Sequence, residues 1–137
     1  MIVYLDTSFL ASVFVADRFS ERAKHHLRQP TSSQLLSDFA SAEFSSVLSR
    51  LARTKEISVA DAYGIFIDFD IWTAQRVSVT SADIAAANVH LRRFDTTLRA
   101  PDATHLAMAQ RLGGELATFD DGLAESARRL NVPLAAL

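Results

Sequence analysis

The segment IVYLDTS, residues 2–8, sets an apolar run directly against a charged residue. Its first four residues are near-continuously apolar, which is typical of a strand in a parallel sheet that is covered on both faces. Asp6 follows at the carboxyl end of this predicted strand, with the hydroxyl residues Thr7 and Ser8 after it. Because a carboxylate is costly to desolvate, the position of Asp6 needs an explanation, and a turn or helix cap is the simplest one.

Outward from this segment, strand-like and helix-like segments alternate, which predicts an α/β domain with a parallel sheet. Further strands are predicted at 34–38, 76–79 and 115–119, and residues 133–137 are a candidate edge strand. Helices are predicted, in chain order, at 8–16, 20–29, 39–54, 59–72, 82–94, 101–113 and 122–130. No linker, repeat or low-complexity tract is visible, so we expect residues 1–137 to form one domain.

The helix at 59–72 has an ambiguous pattern, because its part IFIDFDIW also alternates like a strand. Ser58 and Asp61 resemble a capping box and favour a helix. Ser81 is predicted to cap the helix that follows the third strand.

Composition narrows the class of protein. The chain is 49% hydrophobic and 22% charged, as is typical of globular domains. It has no cysteine, so neither a disulfide framework nor a thiolate metal site is available. The net charge of −2 argues against whole-surface attraction to nucleic acid and leaves room only for a local basic patch. With no leader-like or membrane-length apolar segment in the sequence, we expect a cytoplasmic protein without a membrane partner.

A second acid, Asp120, directly follows the predicted strand at 115–119. The carboxyl ends of parallel strands are where ligand crevices form, so Asp6 and Asp120 face one pocket if their strands are neighbours. For either residue alone, strand termination or helix capping is an equally good explanation.

Two further acids are predicted on helices. Glu43 falls between Phe39 and Val47, at the edge of an apolar stripe where a surface glutamate is unexpected. Asp102 lies one turn before Leu106 in a mostly apolar helix. Its place in the first turn lets the helix dipole favour its ionised form, so capping is the simpler explanation for Asp102 alone.

If the four carboxylates converge, protons or a cation must compensate them. Two carboxylates about 4 Å apart repel by roughly 4 kcal/mol at an effective dielectric constant of about 20. Oxygen ligands without cysteine or clustered histidine select a hard ion such as magnesium or manganese. Such an ion activates water and stabilises charge on a phosphoryl group. The pattern therefore indicates metal-dependent phosphodiester hydrolysis.

The blocks LDTSFL (5–10), ASAEFSSVLSR (40–50) and LRAPDATHLAMAQRLGGELATFDDGL (98–123) resemble the PIN-domain family, specifically its VapC-like ribonuclease toxins. The resemblance covers essentially the whole chain. It implies a three-layer α/β/α sandwich with a mainly parallel central sheet, and endoribonuclease activity that depends on magnesium or manganese. It also implies an RNA substrate, a VapB-like antitoxin partner and a homodimer.

The same resemblance assigns roles to individual residues. The four acids of the family pattern match Asp6, Glu43, Asp102 and Asp120. All but Glu43 are expected as direct metal ligands, and Glu43 is expected to act through water. By the same resemblance, Ser8 and Thr118 would orient carboxylates or water. Asp121, next to Asp120, either faces the metal in its place or caps the helix that follows, and capping is the favoured role.

Several residues near the acids have two interpretations. His105 lies one turn after Asp102, and it either faces the same pocket or packs among apolar neighbours. Arg92, Arg93 and Arg99 either meet RNA phosphates or form a solvated helix end.

Two rival functions make different demands on the sequence. A non-catalytic PIN-like binding module would be marked by the loss of acids, and all four are present. An aspartate-based phosphotransfer domain would need a second aspartate where Ser8 stands, or a lysine after a late strand. The lysines Lys24 and Lys55 both come too early.

Overall fold

Four strands form one all-parallel sheet in the computed structural model, which describes residues 1–29, 32–72 and 74–137. They are β1 (Ile2–Leu5), β2 (Ser33–Ser37), β3 (Gln75–Val77) and β4 (Glu115–Ala117). The strand order is β3-β2-β1-β4, and Val3 of β1 lies between Gln34 and Glu115 of its neighbours. The predicted parallel sheet is confirmed, and its order makes β1 and β4 adjacent.

The described residues contain seven helices, and every predicted helix is among them, with ends that differ from the prediction by at most three residues. They are α1 (Thr7–Phe14), α2 (Ser20–Leu27), α3 (Asp38–Arg53), α4 (Val59–Ile71), α5 (Ser81–Leu91), α6 (Ala100–Leu112) and α7 (Asp121–Arg129). None of these helices is long and apolar enough to cross a membrane.

The alternation of side chains along β1 divides the core into two layers. Val3 and Leu5 pack in one apolar cluster with side chains of α1, α3 and α4. Tyr4 packs in a second cluster with side chains of α6 and α7. Helices therefore cover both faces of the sheet, which confirms the three-layer α/β/α architecture.

The cap of α5 differs from the prediction. Thr80, and not Ser81, is the N-cap, since its side chain accepts a hydrogen bond from the N–H of Asp83. The Asp83 carboxylate in turn accepts from the N–H of Thr80 at 2.8 Å, completing a capping box. This reciprocal pair satisfies two amides that the helix start leaves without partners, which is why the helix begins one residue early.

The assignment of the cap of α7 to Asp121 is also wrong. Asp120 is the N-cap, and its Oδ1 accepts from the N–H of Leu123 at 2.8 Å. Asp121 is already the first residue of the helix.

The candidate edge strand at 133–137 forms only an isolated bridge between Leu134 and Leu116 of β4. The carbonyl of Pro133 accepts from Leu116, but proline has no N–H with which to extend a ladder.

A glycine pair makes the turn from α6 to β4, at the helix end that the sequence predicts. Gly113 has φ of +63°, a left-handed conformation that favours glycine. A Cβ on Gly114 would lie 2.8 Å from Cγ2 of Ile2 and 3.0 Å from its carbonyl oxygen. The turn therefore allows the chain to pass close to the start of β1.

Candidate active site

Asp6 lies at the carboxyl end of β1 and only 2% of its surface is exposed. It is the N-cap of α1, since its Oδ1 accepts from the backbone N–H of Phe9 at 2.8 Å. Capping, however, does not account for its other bonds. The Ser8 hydroxyl donates to both carboxylate oxygens, at 2.8 and 3.0 Å, and the Thr118 hydroxyl donates to Oδ2 at 2.5 Å. These two hydroxyls fix the orientation of the carboxylate.

Burial raises the pKa of Asp6 above its ordinary value, although the hydroxyls of Thr118 and Ser8 and the charge of His105 act in the opposite direction. No lysine or arginine pairs with Asp6 in the described part of the chain. A buried carboxylate that depends on neutral donors is poorly compensated. Asp6 therefore occupies a position that a cation would stabilise.

A short hydroxyl network joins the ends of β1 and β4. The oxygens of Ser8 and Thr118 lie 3.2 Å apart, and Ser8 also accepts from the N–H of Phe119 at 3.0 Å. Thr118 accepts from the N–H of Asp120 at 3.0 Å while it donates to Asp6. The backbone that carries Asp120 is thus tied to the Asp6 carboxylate through one hydroxyl.

Glu43 projects from α3 toward the same edge of the sheet, and 27% of its side chain is exposed. Its Oε1 accepts from the Thr7 hydroxyl at 2.7 Å and lies 2.5 Å from Nε2 of His105. Burial alone would raise the pKa of Glu43, but the hydrogen bond and charge of His105, together with the Thr7 hydroxyl, lower it overall. Glu43 is therefore held in its ionised form.

His105 connects Glu43 to the interior of the protein. Its Nδ1 lies 2.8 Å from the Tyr4 hydroxyl, which lies 2.8 Å from the hydroxyl of Ser37. Burial raises the pKa of Tyr4, so its phenol stays protonated. His105 is itself buried, and it is both a packed core histidine and a direct partner of Glu43. Both interpretations that the sequence allows therefore apply to the same residue.

Asp102 and Asp120 line a cavity of about 190 Å³, together with Arg99. Asp102 accepts from the N–H of Arg99 at 3.1 Å, as a residue of the first helical turn does in a capping box. Both carboxylates are more accessible than that of Asp6, since Asp102 is half-buried and Asp120 is exposed. The cavity therefore presents two accessible acids to solvent.

The contacts connect the four predicted acids only in part. Asp102 and Asp120 line one cavity, and the Thr118 hydroxyl links Asp6 to the N–H of Asp120. Glu43 is bonded to Thr7, the residue after Asp6, and to His105. In the described ranges, no three acidic or histidine side chains are arranged to hold a metal ion. The chemistry of the donors nevertheless fits a hard cation, because they are carboxylate oxygens and Asp6, the most buried of them, has no lysine or arginine partner among the described residues.

Two of the three arginines that precede Asp102, Arg93 and Arg99, have different surroundings. Arg99 lines the cavity of Asp102 and Asp120. Arg93 instead pairs with Asp95 at 2.7 Å on the surface. Of the two interpretations, the solvated helix end describes Arg93, and Arg99 alone of the three lines the cavity.

The PIN domain family model matches residues 3–129 of the chain. Among curated protein sequences, none matches the chain significantly.

Solved structures with the same fold are similar over most of their length. VapC20 of Mycobacterium tuberculosis, described as a toxin that cleaves the sarcin–ricin loop, is 22% identical with a TM-score of 0.71 and covers 90% of this chain and 94% of its own. FitAcB of Neisseria gonorrhoeae is 17% identical with a TM-score of 0.74, covering 99% and 97%. VapBC2 of Rickettsia felis, bound to promoter DNA, is 14% identical with a TM-score of 0.74, covering 98% of each chain.

Proposed function

The chain belongs to the PIN domain family, and from that premise we propose that it is a metal-dependent endoribonuclease, the toxin of a VapBC-like toxin–antitoxin pair. The observation that carries the proposal is Asp6. Its carboxylate is buried at the sheet edge, oriented by Ser8 and Thr118, and linked through Thr118 to the backbone of a second acid, Asp120. A purely structural cap needs neither that burial nor two additional donors.

Magnesium or manganese would be held directly by Asp6, Asp102 and Asp120, with Glu43 acting through water. Bound there, the ion would activate water and stabilise negative charge on the phosphodiester being cleaved. This assignment rests on the donor chemistry and on the family pattern that these acids match.

The side chains around the acids suit hydrolysis. Ser8 and Thr118 hold the Asp6 carboxylate, so little reorganisation is needed when charge develops nearby. The bonds from Thr7 and His105 both reach Oε1 of Glu43, which leaves Oε2 to accept a proton from water. Glu43 is ionised at neutral pH, and its lowered pKa extends toward acid the pH range in which it can accept that proton.

The partners belong to the same proposal. Structural neighbours include toxin–antitoxin assemblies, such as a VapBC complex and a complex from Klebsiella pneumoniae. We extend that arrangement to this chain as a homodimer that works in the cytoplasm and is held inactive by a VapB-like antitoxin.

The test is cleavage of RNA by purified protein with magnesium or manganese, compared with the variants Asp6→Asn and Asp102→Asn. Both variants are expected to lose at least 100-fold in rate, because each removes a proposed ligand. Asp70→Asn, an exposed acid on α4, is the matched control and should cleave normally. Undiminished metal-dependent cleavage by both site variants would refute the assignment.

One observation favours a second candidate, a PIN-fold module that binds without catalysis. The described residues contain no assembled group of three potential ligands. A wild-type protein that binds RNA or a partner, but cleaves no RNA with either metal, would support this alternative.

A further inference from the structure

A chain of buried hydrogen bonds leads from the start of α3 through β1 and α6 to the candidate active site. The Ser37 oxygen accepts from the N–H of Ala40 at 2.8 Å, which leaves the hydrogen of its hydroxyl for the Tyr4 oxygen, also 2.8 Å away. The Tyr4 oxygen lies 2.8 Å from Nδ1 of His105, and Nε2 of the same imidazole lies 2.5 Å from Oε1 of Glu43. We call Ser37, Tyr4 and His105 the buried hydrogen-bond chain.

The directions of these bonds follow from the groups that form them. The ionised carboxylate of Glu43 can only accept, so Nε2 of His105 carries a proton and donates it to Oε1. Nδ1 faces the Tyr4 hydroxyl, which can donate to it or accept from it. When Nδ1 is protonated, the phenol hydrogen turns to the Met108 sulfur, 3.7 Å from the Tyr4 oxygen. Tyr4 therefore serves as a partner of Nδ1 in both the neutral and the charged imidazole.

Packing alone does not require the Tyr4 hydroxyl. The ring is completely buried among apolar side chains of α6 and α7, where a phenylalanine ring would fill nearly the same space. A buried hydroxyl is costly unless it is hydrogen-bonded. This one has three partners, on Ser37, His105 and Met108, and one of them is bonded in turn to Glu43. The hydroxyl thus connects the core to an acid that we assign to the reaction.

The chain also ties one helix to the rest of the molecule at two points. Ser37 is the N-cap of α3, and Glu43 lies on the same helix. Between them, Tyr4 on β1 and His105 on α6 complete a closed series of contacts. The imidazole is held at both nitrogens, so it cannot rotate without losing a hydrogen bond in a buried site, which is costly.

We propose that Tyr4 is a positioning residue for the hydrolysis and acts through His105 on Glu43. Tyr4 holds the imidazole so that its Nε2–H fixes Oε1 of Glu43, and this orientation presents Oε2 to the attacking water. Ser37 supports the arrangement by orienting the Tyr4 hydroxyl. This role rests on the proposed ribonuclease function and deepens it, since it adds a buried residue that sets the geometry of the proton acceptor.

The kinetic test is Tyr4→Phe, which removes the hydroxyl and keeps the ring. Its kcat for RNA cleavage should fall roughly 10- to 100-fold, because misplacing a reacting group by about 1 Å can cost that much. KM should change by less than about twofold, since Glu43 acts on water rather than on RNA binding. Tyr63→Phe, the same change at an exposed tyrosine of α4, is the matched control and should leave both constants unchanged.

Ser37→Ala tests the next link of the chain, and it decides the question if Tyr4→Phe does not fold. It should lower kcat by a smaller factor than Tyr4→Phe, because the phenol remains but is less well oriented. Ser37 is also a helix cap, so the control is Ser58→Ala, which removes the cap of α4 outside the chain. Both serine variants should lower the melting temperature, whereas only Ser37→Ala should lower kcat.

NMR of protein with isotope-labelled histidines gives a readout that needs no activity. Nε2 of His105, assigned by comparison with His105→Gln, should be protonated in the wild type, and its proton should exchange slowly with water. In Tyr4→Phe this exchange should be about tenfold faster, as expected for the loss of one hydrogen bond, and in Tyr63→Phe it should be unchanged. An unprotonated Nε2 in the wild type would overturn the proposal. A Tyr4→Phe variant with a lower melting temperature and an unchanged kcat would assign the hydroxyl to stability alone and overturn it too.

The outcomes also distinguish this proposal from the function on which it rests. A slowly exchanging Nε2–H that depends on Tyr4, in a wild type that cleaves no RNA, would retain the positioning of Glu43 and refute the nuclease. Metal-dependent cleavage by Tyr4→Phe at the kcat of the wild type would retain the nuclease and refute the role of Tyr4.

Discussion

At the scale of single residues, Asp6 shows how one carboxylate serves both folding and the proposed chemistry. It caps α1 through Oδ1, and the same carboxylate is buried and oriented by two hydroxyls. The cap stabilises the helix start, while the desolvation of the charge opposes folding. A residue that costs stability in the absence of a cation is expected at a functional site.

This balance predicts the pH dependence of stability for Asp6→Asn. Because burial raises the folded pKa of Asp6, its favourable contribution is complete below the unfolded pKa of about 3.9 and is lost as the pH rises through the folded value. Asparagine has no such proton and remains a good cap. The melting temperature of Asp6→Asn relative to wild type, in EDTA, should therefore increase from acid toward neutral pH.

Asp70→Asn is the control for this measurement, since its carboxylate is exposed, and its difference from wild type should show no comparable rise. A relative melting temperature of Asp6→Asn that stays flat, or that falls as the pH rises, would contradict the effect of burial.

Replacing His105 is expected to change the pH profile of cleavage. The His105→Gln variant loses the charge that, with its hydrogen bond, lowers the pKa of Glu43. The acid limb of kcat/KM should then move to higher pH, because Glu43 must be ionised to accept a proton. The buried hydrogen bonds lost should also cost roughly 1–3 kcal/mol in the free energy of unfolding.

The matched control is His90→Gln, which alters a half-buried histidine outside the candidate site that is bonded to Gln110. It should leave the pH profile in place. A profile of His105→Gln that falls uniformly at all pH values, without a shifted limb, would show that His105 acts through structure alone.

The sequence predicts the position of His105 on its helix but not its partners. One turn from Asp102, an imidazole among apolar residues has the same pattern whether it packs or bonds. The choice depends on the approach of Glu43 from α3 and of Tyr4 from β1, which are distant in sequence. Those contacts exist only once the sheet has assembled.

At the scale of elements, the start of α5 was predicted one residue late although the sequence contained the signal. Thr80 and Asp83 have the same spacing as Ser58 and Asp61, which did indicate the start of α4. Ser81 was a competing hydroxyl at the adjacent position. What the sequence does not show is that Asp83 is also buried against Arg111 of α6.

Asp83 links α5 to α6 through its bonds to Arg111, and we expect this link to stabilise the fold. Its carboxylate accepts from Thr80 and from Arg111, at 2.7 Å for the closest nitrogen. Asp83→Asn should cost about 2 kcal/mol in the free energy of unfolding measured in urea, since a buried charge-assisted network loses its acceptor. Ser81→Ala, one residue from the cap, should cost less than about 0.5 kcal/mol.

The loss should depend on pH. Burial would raise the pKa of Asp83, but the Arg111 and Thr80 hydrogen bonds lower it overall. Its contribution is therefore present above the unfolded pKa of about 3.9 and disappears as the pH falls through the folded value. A difference between Asp83→Asn and wild type that persists unchanged in strong acid would contradict the ion pair.

At the scale of the whole molecule, the order β3-β2-β1-β4 decides which acids are neighbours. The sequence predicts four parallel strands because helices alternate with them, but helix and strand periodicity contain no information on strand order. The resemblance supplied the three-layer fold. The adjacency of β1 and β4, which brings Thr118 to Asp6, is a property of the assembled sheet.

That assembly makes metal binding a test of the whole site. Asp6, Asp102 and Asp120 come from opposite ends of the chain, so an unfolded chain offers them separately and should bind manganese weakly. Manganese at about 100 times its dissociation constant should then stabilise the folded protein by about 2.7 kcal/mol.

The rise in melting temperature should be lost in Asp6→Asn and Asp102→Asn and kept in Asp70→Asn. Loss in both variants would show that the bound ion depends on both carboxylates. Loss in Asp102→Asn alone would confine the ion to the cavity of Asp102 and Asp120, and would leave Asp6 a structural cap.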